Sequence, residues 1–148
     1  MKAVMMHEFG GPDVLKYEEI PTPELGPDDV LVKVHAVSVN RTLDLVVREN
    51  KYARTPPLPH ILGVDPSGVI EAVGSNVTDR KVGERIYCSL FVPSDDPAAM
   101  NLPGVGSVLF LGVNVWGGYA EYVKVPASIV LPIPDSLGFP EATVVGRH

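Results

Sequence analysis

The sequence has a single cysteine, no basic stripe and no long hydrophobic run, and each absence removes a class of protein. Cys88 alone excludes an intramolecular disulfide and any zinc site built from several thiolates. The 12 lysines and arginines are scattered among 18 acidic residues, so the net charge is -6 and a nucleic-acid footprint is missing. No apolar stretch matches a membrane span or a signal-peptide core. We therefore expect a cytoplasmic protein with neither nucleic acid nor a membrane as its partner.

Turn-forming residues are abundant instead. The chain of 148 residues contains 14 glycines and 15 prolines, which disfavour long helices. A chain of this length buries roughly two-thirds of its unfolded surface, so one core forms without help from a metal or a disulfide. The composition therefore predicts one core with many short elements.

Short strand-like segments separated by Gly/Pro turns predict a mainly β fold. In "VLVKVHAVS" (30–38), Val30 and Val32 share one face, while Lys33 and His35 lie on the other, as in a half-buried strand. Further strands are predicted within "IEAVG", "GERIYCSL" and "GGYAEYVKVPA". Residues 89–114 are apolar, rich in Gly and Pro and without a regular period, so we expect a long irregular excursion there.

Two segments have helical character. "RTLDLVVREN" predicts a helix of two to three turns, in which Asp44 stands four residues before Arg48 as a favourable pair. "SLGFPEATVVGRH" predicts the start of a second helix with Ser136 as its N-cap.

In the run "LGVDPSGVIEAVGSNVTDRKVGERI" (62–86), Gly68 indicates a bulge or a close backbone approach, and Gly74 indicates a turn with positive φ.

Several separated motifs resemble, in order, the N-terminal part of the medium-chain dehydrogenases/reductases. They are "MKAVMMHEFGGPDVLKYEEIPTPELGPDDVLVKVHAVSVN", "PLPHILGVDPSG", "VGERI" and "GGYAEYVKVPA". The resemblance spans nearly the whole chain. It implies the GroES-like fold, a mainly β, partly open β-barrel with one or two short helices, which in this family is the catalytic domain that covers the substrate cleft.

The departures from the zinc-dependent branch of that family concern its metal ligands. The zinc alcohol dehydrogenases carry Gly-His-Glu-x-x-Gly-x-Val, whose histidine binds the catalytic metal, and a cysteine on the loop after the third strand. Here Val64 replaces the histidine, and Asn40 or Arg41, with an ambiguity of one residue, replaces the cysteine. Zinc prefers thiolate and imidazole ligands. We expect no metal, and the resemblance implies the zinc-independent quinone-reductase branch, which reduces quinones or activated double bonds with hydride from NADPH.

By this resemblance the cleft is lined by residues 40–52 and by the loop around Asp65. Asn40 is expected to hydrogen-bond a carbonyl of the nicotinamide or the substrate, and Tyr52 to donate from its hydroxyl to the cofactor or substrate. Arg41 is expected to offset developing negative charge. Each residue also has a structural alternative: Asn40 caps the short helix, Tyr52 packs, Arg41 is solvated, and Asp65 anchors its own turn.

A nucleotide-binding half is not recognisable in the sequence. "GVGSVLFLG" from Gly104 has Leu109 where a dinucleotide fingerprint has its third glycine, and no βαβ strand precedes it. We expect residues 1–135 to form the GroES-like domain and 136–148 to begin the helix that connects to an absent Rossmann domain. NADPH binding and turnover are then expected only with that domain, and the choice between NADPH and NADH stays open.

Two functions follow from this reading. In the first, the chain is the catalytic domain of a zinc-independent NAD(P)H-dependent oxidoreductase that acts on a small molecule. In the second, it is a stand-alone, non-catalytic GroES-like module that binds a ligand or partner. In either case an unpaired strand edge and an apolar face favour a homo-oligomer.

Overall fold

Ten strands and two short helices make up residues 1–145, the part of the chain that the computed structural model describes. The strands are β1 (Lys2–Met6), β2 (Leu15–Glu19), β3 (Asp29–Ala36), β4 (Ser67–Val73), β5 (Arg85–Cys88), β6 (Phe91–Pro93), β7 (Met100–Leu102), β8 (Gly106–Phe110), β9 (Tyr122–Pro126) and β10 (Val130–Pro132). The helices are α1 (Leu43–Arg48) and α2 (Phe139–Val145), with 3-10 turns at Pro12–Val14 and Ala127–Ile129. The prediction of a mainly β fold with short helices is confirmed.

The strands form three antiparallel sheets. The largest has the order β10-β5-β4-β3-β9; β1 pairs with β2, and β6, β8 and β7 form a three-stranded sheet. Within residues 1–145, β9 and β10 do not pair with each other, so the five-stranded sheet is not a closed barrel. This arrangement is consistent with the partly open GroES-like fold.

The central sheet is held by the apolar face of β3. Val32 pairs with Ile70 of β4 on one side and with Val123 of β9 on the other, and all three side chains are buried. Lys33 and His35 point outward, which confirms the alternation expected of a half-buried strand. The buried core against this sheet comprises Val30, Val32, Ile70, Ile86, Cys88, Val92, Leu111, Val123, Val125, Ile129 and Val130.

A second core lies beneath α1 and joins it to the loop before β4 and to β8. Leu43 and Val47 are the helix residues in this core, as their helical spacing predicts. Leu62 and Val64 enter it from the loop. The complete buried set is Met6, Val14, Leu43, Val47, Leu62, Val64, Val108, Phe110 and Val113. This core fixes α1 against the loop that carries Asp65.

The segment 89–114 is not irregular, and that prediction is wrong. It contains β6, β7 and β8, and the last two form a hairpin around Gly104 and Gly106, both at positive φ. The strands contain only three to five residues each, too few to establish a period of two in the sequence. The Gly-x-Gly at 104–106 is thus part of a β-hairpin, in agreement with its rejection as a dinucleotide fingerprint.

Ser136 is not the N-cap of the second helix. The first helical hydrogen bond runs from the N–H of Ala142 to the carbonyl of Gly138 at 3.0 Å, so the helix begins after Gly138. Pro140 lies in its first turn, where the missing N–H costs little. Ser136 lies three residues before Phe139, the first residue of the helix. The remainder of the predicted helix, 146–148, lies outside the described residues.

Two glycines permit close approach of main chains around β4. At Gly68 a Cβ would overlap the carbonyl oxygen of Lys33, next to a register shift between β3 and β4. Gly74 does not have a positive φ, so the predicted reason for that glycine is wrong. A Cβ at Gly74 would instead overlap the carbonyl oxygens of Gly26 and Pro27, against which its turn packs.

We expect Gly68→Ala to destabilise the fold strongly, because the main chain of β3 has to move to admit a methyl group. A loss of about 3 kcal/mol in the free energy of unfolding is typical of such overpacking. Gly11→Ala is the matched control, since no atom lies within 4 Å of its Cβ position and its φ is -74°. Urea denaturation of both variants tests this, and equal stabilities would contradict it.

Candidate functional site

The site is built around the start of α1. There the side chain of Asn40 accepts from the first turn of the helix, and the side chain of Asp44 accepts from the main chain of Asn40. The side-chain Oδ1 of Asn40 accepts from the N–H of Thr42 at 3.0 Å and of Leu43 at 2.9 Å. In return, Asp44 Oδ2 accepts from the N–H of Asn40 at 2.7 Å. The structural alternative for Asn40, that it caps the helix, is therefore realised. With Oδ1 facing two N–H donors, the amide Nδ2 is the end that is available to a ligand.

The carboxylate of Asp44 has two further partners from distant parts of the chain. Oδ1 accepts from the N–H of Gly63 at 3.2 Å, and Oδ2 accepts from the hydroxyl of Tyr119 at 2.9 Å. Asp44 is only 3% exposed. The carboxylate therefore joins the start of α1, the loop before β4 and the segment before β9.

Burial and a neighbouring carboxylate act on the proton affinity of this cluster. Burial raises the pKa of Asp44, the three hydrogen bonds oppose that rise, and the charge of Asp65 adds to it. Burial and the charge of Asp44 also raise the pKa of the Tyr119 hydroxyl. Tyr119 consequently stays protonated and remains the donor in its bond with Asp44.

The loop that carries Asp65 is held in an uncommon backbone conformation. Gly63 has a φ of 106° and Asp65 has a φ of 59°. Asp65 is 1% exposed, and its Oδ1 accepts from the hydroxyl of Tyr87 at 2.9 Å. Asp65 is thus buried and anchored to Tyr87, and its role as a site residue stays a prediction.

The same loop meets three further glycines at a junction of main chains. The carbonyl of Gly63 accepts from the N–H of Gly118 at 2.8 Å. A Cβ at Gly112 would lie 2.8 Å from the carbonyl oxygen of Gly63, and a Cβ at Gly117 would overlap that oxygen. We call Gly63, Gly112, Gly117 and Gly118 the glycine junction. No side chain fits between these main chains.

The other two predicted site residues lie outside this hydrogen-bond network. Arg41 is exposed at the start of α1. Tyr52 is half-buried and packs against the core beneath α1. The structure brings the start of α1 and the loop that carries Asp65 together through Asp44, which accepts from Asn40 and Gly63. The described hydrogen bonds of the Asn40 and Asp44 side chains do not include Arg41 or Tyr52. Their roles as site residues stay predictions.

Asp44 and Tyr119 are the residues that sequence reasoning missed. Asp44 was assigned a pair with Arg48, but the Arg48 guanidinium instead donates to the carbonyl of Gly10 at 3.0 Å and to Glu49 at 3.2 Å. Asn40 and Asp44 cap each other at a spacing of four residues, one more than in the capping box, so the usual sequence signature does not identify them. Tyr119 gave no local signal either, since it is 75 residues from Asp44.

The described residues offer no metal site of the zinc type. Val64 is fully buried and has no donor atom, and within residues 1–145 no three His, Cys, Asp or Glu side chains are grouped to hold an ion. Cys88 is buried in the main core, and burial raises the pKa of its thiol to about 12. It behaves as the small buried hydrophobe that the sequence predicts.

In the part of the chain that the structure describes, no helix has the length and apolar character needed to cross a membrane.

The open antiparallel sheet with two short helices is the architecture of a GroES-like domain. The family model of the alcohol dehydrogenase GroES-like domain matches residues 26–135. The chain belongs to this family, within the medium-chain dehydrogenases/reductases.

Similar proteins are oxidoreductases. Mouse (Mus musculus) quinone oxidoreductase is 33% identical over 149 residues, which cover 99% of this chain and 37% of the mouse protein. An Arabidopsis thaliana chloroplastic NADPH-dependent alkenal/one oxidoreductase is 34% identical over 144 residues, covering 96% of this chain and 33% of that protein. A solved NAD-dependent alcohol dehydrogenase is 37% identical with a TM-score of 0.85, over 97% of this chain and 42% of the other. The chain thus spans less than half the length of these relatives.

His60 is a buried histidine beside the site loop. Its Nε2 lies 3.0 Å from the carbonyl oxygen of Gly112, and within the described residues its Nδ1 has no hydrogen-bond partner. Burial lowers the pKa of His60, although the carbonyl of Gly112 partly opposes this. The folded protein therefore binds this proton less readily than the unfolded chain does.

Because His60 is buried in its neutral form, we expect the free energy of unfolding to be independent of its titration above the unfolded pKa of about 6.5. The free energy of unfolding should decrease as the pH falls below that value. The slope approaches about 1.4 kcal/mol per pH unit. Urea denaturation from pH 7.5 to 5.0 measures it. His60→Gln should flatten the decline, and the exposed His7→Gln should retain it. An unchanged slope in His60→Gln would contradict this expectation.

Proposed function

We propose that the chain is the catalytic domain of an NAD(P)H-dependent oxidoreductase that reduces quinones or activated carbonyl and alkene substrates. The observation that carries the proposal is the similarity to mouse quinone oxidoreductase over 99% of the chain. The name of the Arabidopsis relative, which acts on alkenals and alkenones, supports the activated alkene as a second substrate class. Because the chain corresponds to 37% of the mouse protein, the activity belongs to a larger assembly.

The site residues have distinct roles in this proposal. Asn40 Nδ2 donates to a carbonyl of the nicotinamide or substrate, because Oδ1 is occupied by the first turn of α1. The Tyr52 hydroxyl donates to the cofactor or substrate, and the exposed Arg41 offsets negative charge that develops on the reduced oxygen. Asp65 acts indirectly, by holding the loop beneath the site.

The cofactor we propose is NADPH, which supplies the hydride when bound. The name of the Arabidopsis relative supports NADPH. We assign residues 1–135 to the GroES-like domain and 136–148 to the connection with a Rossmann domain, which carries the nucleotide site and is the partner of this chain. The GroES-like domain then supplies orientation and hydrogen bonds at the reacting end.

We propose that the reaction does not use zinc. The positions that hold the metal in zinc alcohol dehydrogenases carry Val64 and either Asn40 or Arg41, none of which is a thiolate or an imidazole. We place the protein in the cytoplasm, which fits its single buried thiol.

The test is NADPH oxidation with 9,10-phenanthrenequinone by the natural polypeptide in which this chain occurs. We expect turnover that a chelator leaves unchanged. Asn40→Ala should lower kcat about 100-fold, as loss of one donor at a developing oxyanion does. Asn40→Asp keeps an acceptor for the helix start but loses the Nδ2 donor, so it should be equally impaired.

Asn76→Ala is the matched control, since Asn76 lies in an exposed turn away from the site. It should retain the wild-type kcat. Unchanged turnover in Asn40→Asp would remove the Asn40 amide from the site. Loss of turnover with chelator would contradict the zinc-independent reaction, and the absence of any NADPH-dependent reduction would contradict the oxidoreductase itself.

An open strand edge supports the alternative, a non-catalytic module that self-associates. In the described structure β9 pairs, within its sheet, only with β3. The N–H of Val34 donates to the carbonyl of Glu121, and hydrogen-bonded pairs alternate along antiparallel strands. The N–H and C=O groups of Tyr122 and Lys124 therefore point away from β3. A mainly apolar cavity of about 480 Å³ lies beside them, lined in part by Ile61 and Trp116. Such an edge is a template for strand addition by a second copy.

Sedimentation velocity of the purified chain tests this alternative. Self-association should be concentration-dependent, and Lys124→Pro, which removes one outward N–H, should abolish it without unfolding the sheet. A monomer at all concentrations would contradict the self-association. Dimers that persist in Lys124→Pro would place the contact elsewhere.

A further inference from the structure

The carboxylate of Asp44 is the point at which three separate segments of the site meet. It accepts from the N–H of Asn40, the N–H of Gly63 and the hydroxyl of Tyr119 at 2.7, 3.2 and 2.9 Å. Two of these donors are main-chain groups of the segments that carry the predicted site residues Asn40 and Asp65. Hydrogen bonds to a charged acceptor are stronger than neutral ones, and a buried N–H that loses its acceptor is costly.

Asp44 does not form the predicted surface ion pair with Arg48. The Arg48 side chain is occupied by the carbonyl of Gly10 and by Glu49. Asp44 is 3% exposed and faces the loop before β4 rather than solvent. Its carboxylate is therefore committed to the segments of the site.

The loop at Gly63 is held on its other side by main chain alone. The carbonyl of Leu62 accepts from the N–H of Tyr119 at 3.0 Å, and the carbonyl of Gly63 accepts from Gly118. A Cβ at Gly63 would lie 2.7 Å from the ring of Tyr119, so the loop has little freedom to move toward β9. The hydroxyl of Ser38, two residues before Asn40, also donates to the carbonyl of Val64 at 3.2 Å. Among the described residues of α1, Asp44 is the one whose side chain bonds to this loop.

We propose that Asp44 is a positioning residue of the reductase site, whose carboxylate sets the placement of the Asn40 amide relative to the loop that carries Asp65. This inference rests on the proposed function, because it concerns the geometry of that same site. Asp44 acts through Asn40 and Gly63 and does not itself touch a ligand. Small displacements of such groups are costly to a reaction that depends on orientation.

The first experiment measures amide hydrogen exchange in Asp44→Asn by NMR. The substituted amide replaces one acceptor oxygen by a donor, so an N–H of Asn40 or Gly63 faces no acceptor. We expect exchange at Asn40 or at Gly63, whichever N–H faces the new amide NH2 group, to accelerate about tenfold, while amides of β3 and β4 keep their protection. Asp29→Asn is the matched control, because Asp29 Oδ2 accepts from the N–H of Gly26 at 3.2 Å at the end of β3 that is opposite to α1.

The exchange results decide the placement role without any assay of turnover. Asp29→Asn should leave Asn40 and Gly63 at wild-type rates. Unchanged exchange at both residues in Asp44→Asn would overturn the proposal, since other contacts would then hold them. Loss of protection throughout the sheet, or a failure of Asp44→Asn to fold, would also overturn it, because Asp44 would then support the whole fold rather than the site.

The second readout is kinetic and uses the natural polypeptide with NADPH and 9,10-phenanthrenequinone. Per folded molecule, kcat should fall about tenfold in Asp44→Asn at an unchanged KM for NADPH, and Asp29→Asn should match the wild type. A wild-type kcat in Asp44→Asn, despite faster exchange, would overturn the proposal. If the wild type itself reduces no quinone, the proposed function fails, and the exchange data still report on the placement of Asn40 and Gly63.

Discussion

The pairing of β3 with strands on both of its edges is the constraint on which the structure depends. β3 is the longest strand, and Val30 and Val32 carry its buried face against residues from both neighbours. β4 can lie alongside it only because Gly68 has no side chain at the carbonyl of Lys33. The chain leaves β3 toward α1 and enters β4 from the Asp65 loop. The two segments of the site therefore emerge side by side at one end of the same strand pair.

This proximity brings two buried acidic side chains close together, and hydrogen bonds make the arrangement tolerable. Asp44 and Asp65 are both almost fully buried, and the charge of Asp65 raises the pKa of Asp44. Each carboxylate accepts from a tyrosine hydroxyl, Asp44 from Tyr119 and Asp65 from Tyr87. Asp44 also accepts from two main-chain N–H groups. These hydrogen bonds stabilise both carboxylates in their buried positions.

The sequence predicted those features that depend on local pattern. The alternation of Val30, Val32 and Lys33 identified β3, and the apolar spacing of Leu43 and Val47 identified α1. The three-stranded sheet of 89–114 was missed because its strands are too short to show a period, and Ser136 was chosen as a cap although Pro140 favours a later start. Local pattern therefore located the longer elements and not the short ones.

The candidate site was predictable in part for the same reason. Asn40 and Asp65 are singled out because they stand in motifs of the family, and their roles as site residues stay predictions. The contact between Asp44 and Tyr119 was not predicted, because it joins residues 75 positions apart and depends on how the loops pack after the sheet has formed. Val64 was visible as a missing metal ligand, but its burial in the core beneath α1 emerged only from the fold.

The glycine junction also limits how this site can change over evolution. Where Gly63, Gly112 and Gly117 meet, the wall is made of main chain, and a methyl group at Gly112 or Gly117 collides with the carbonyl of Gly63. New binding preferences cannot arise by enlarging residues there. Variation in the shape of the site is confined to the side chains around it, such as the exposed Val39 and the half-buried Tyr52. Across related domains we therefore expect the surrounding side chains to vary while the glycine junction stays constant.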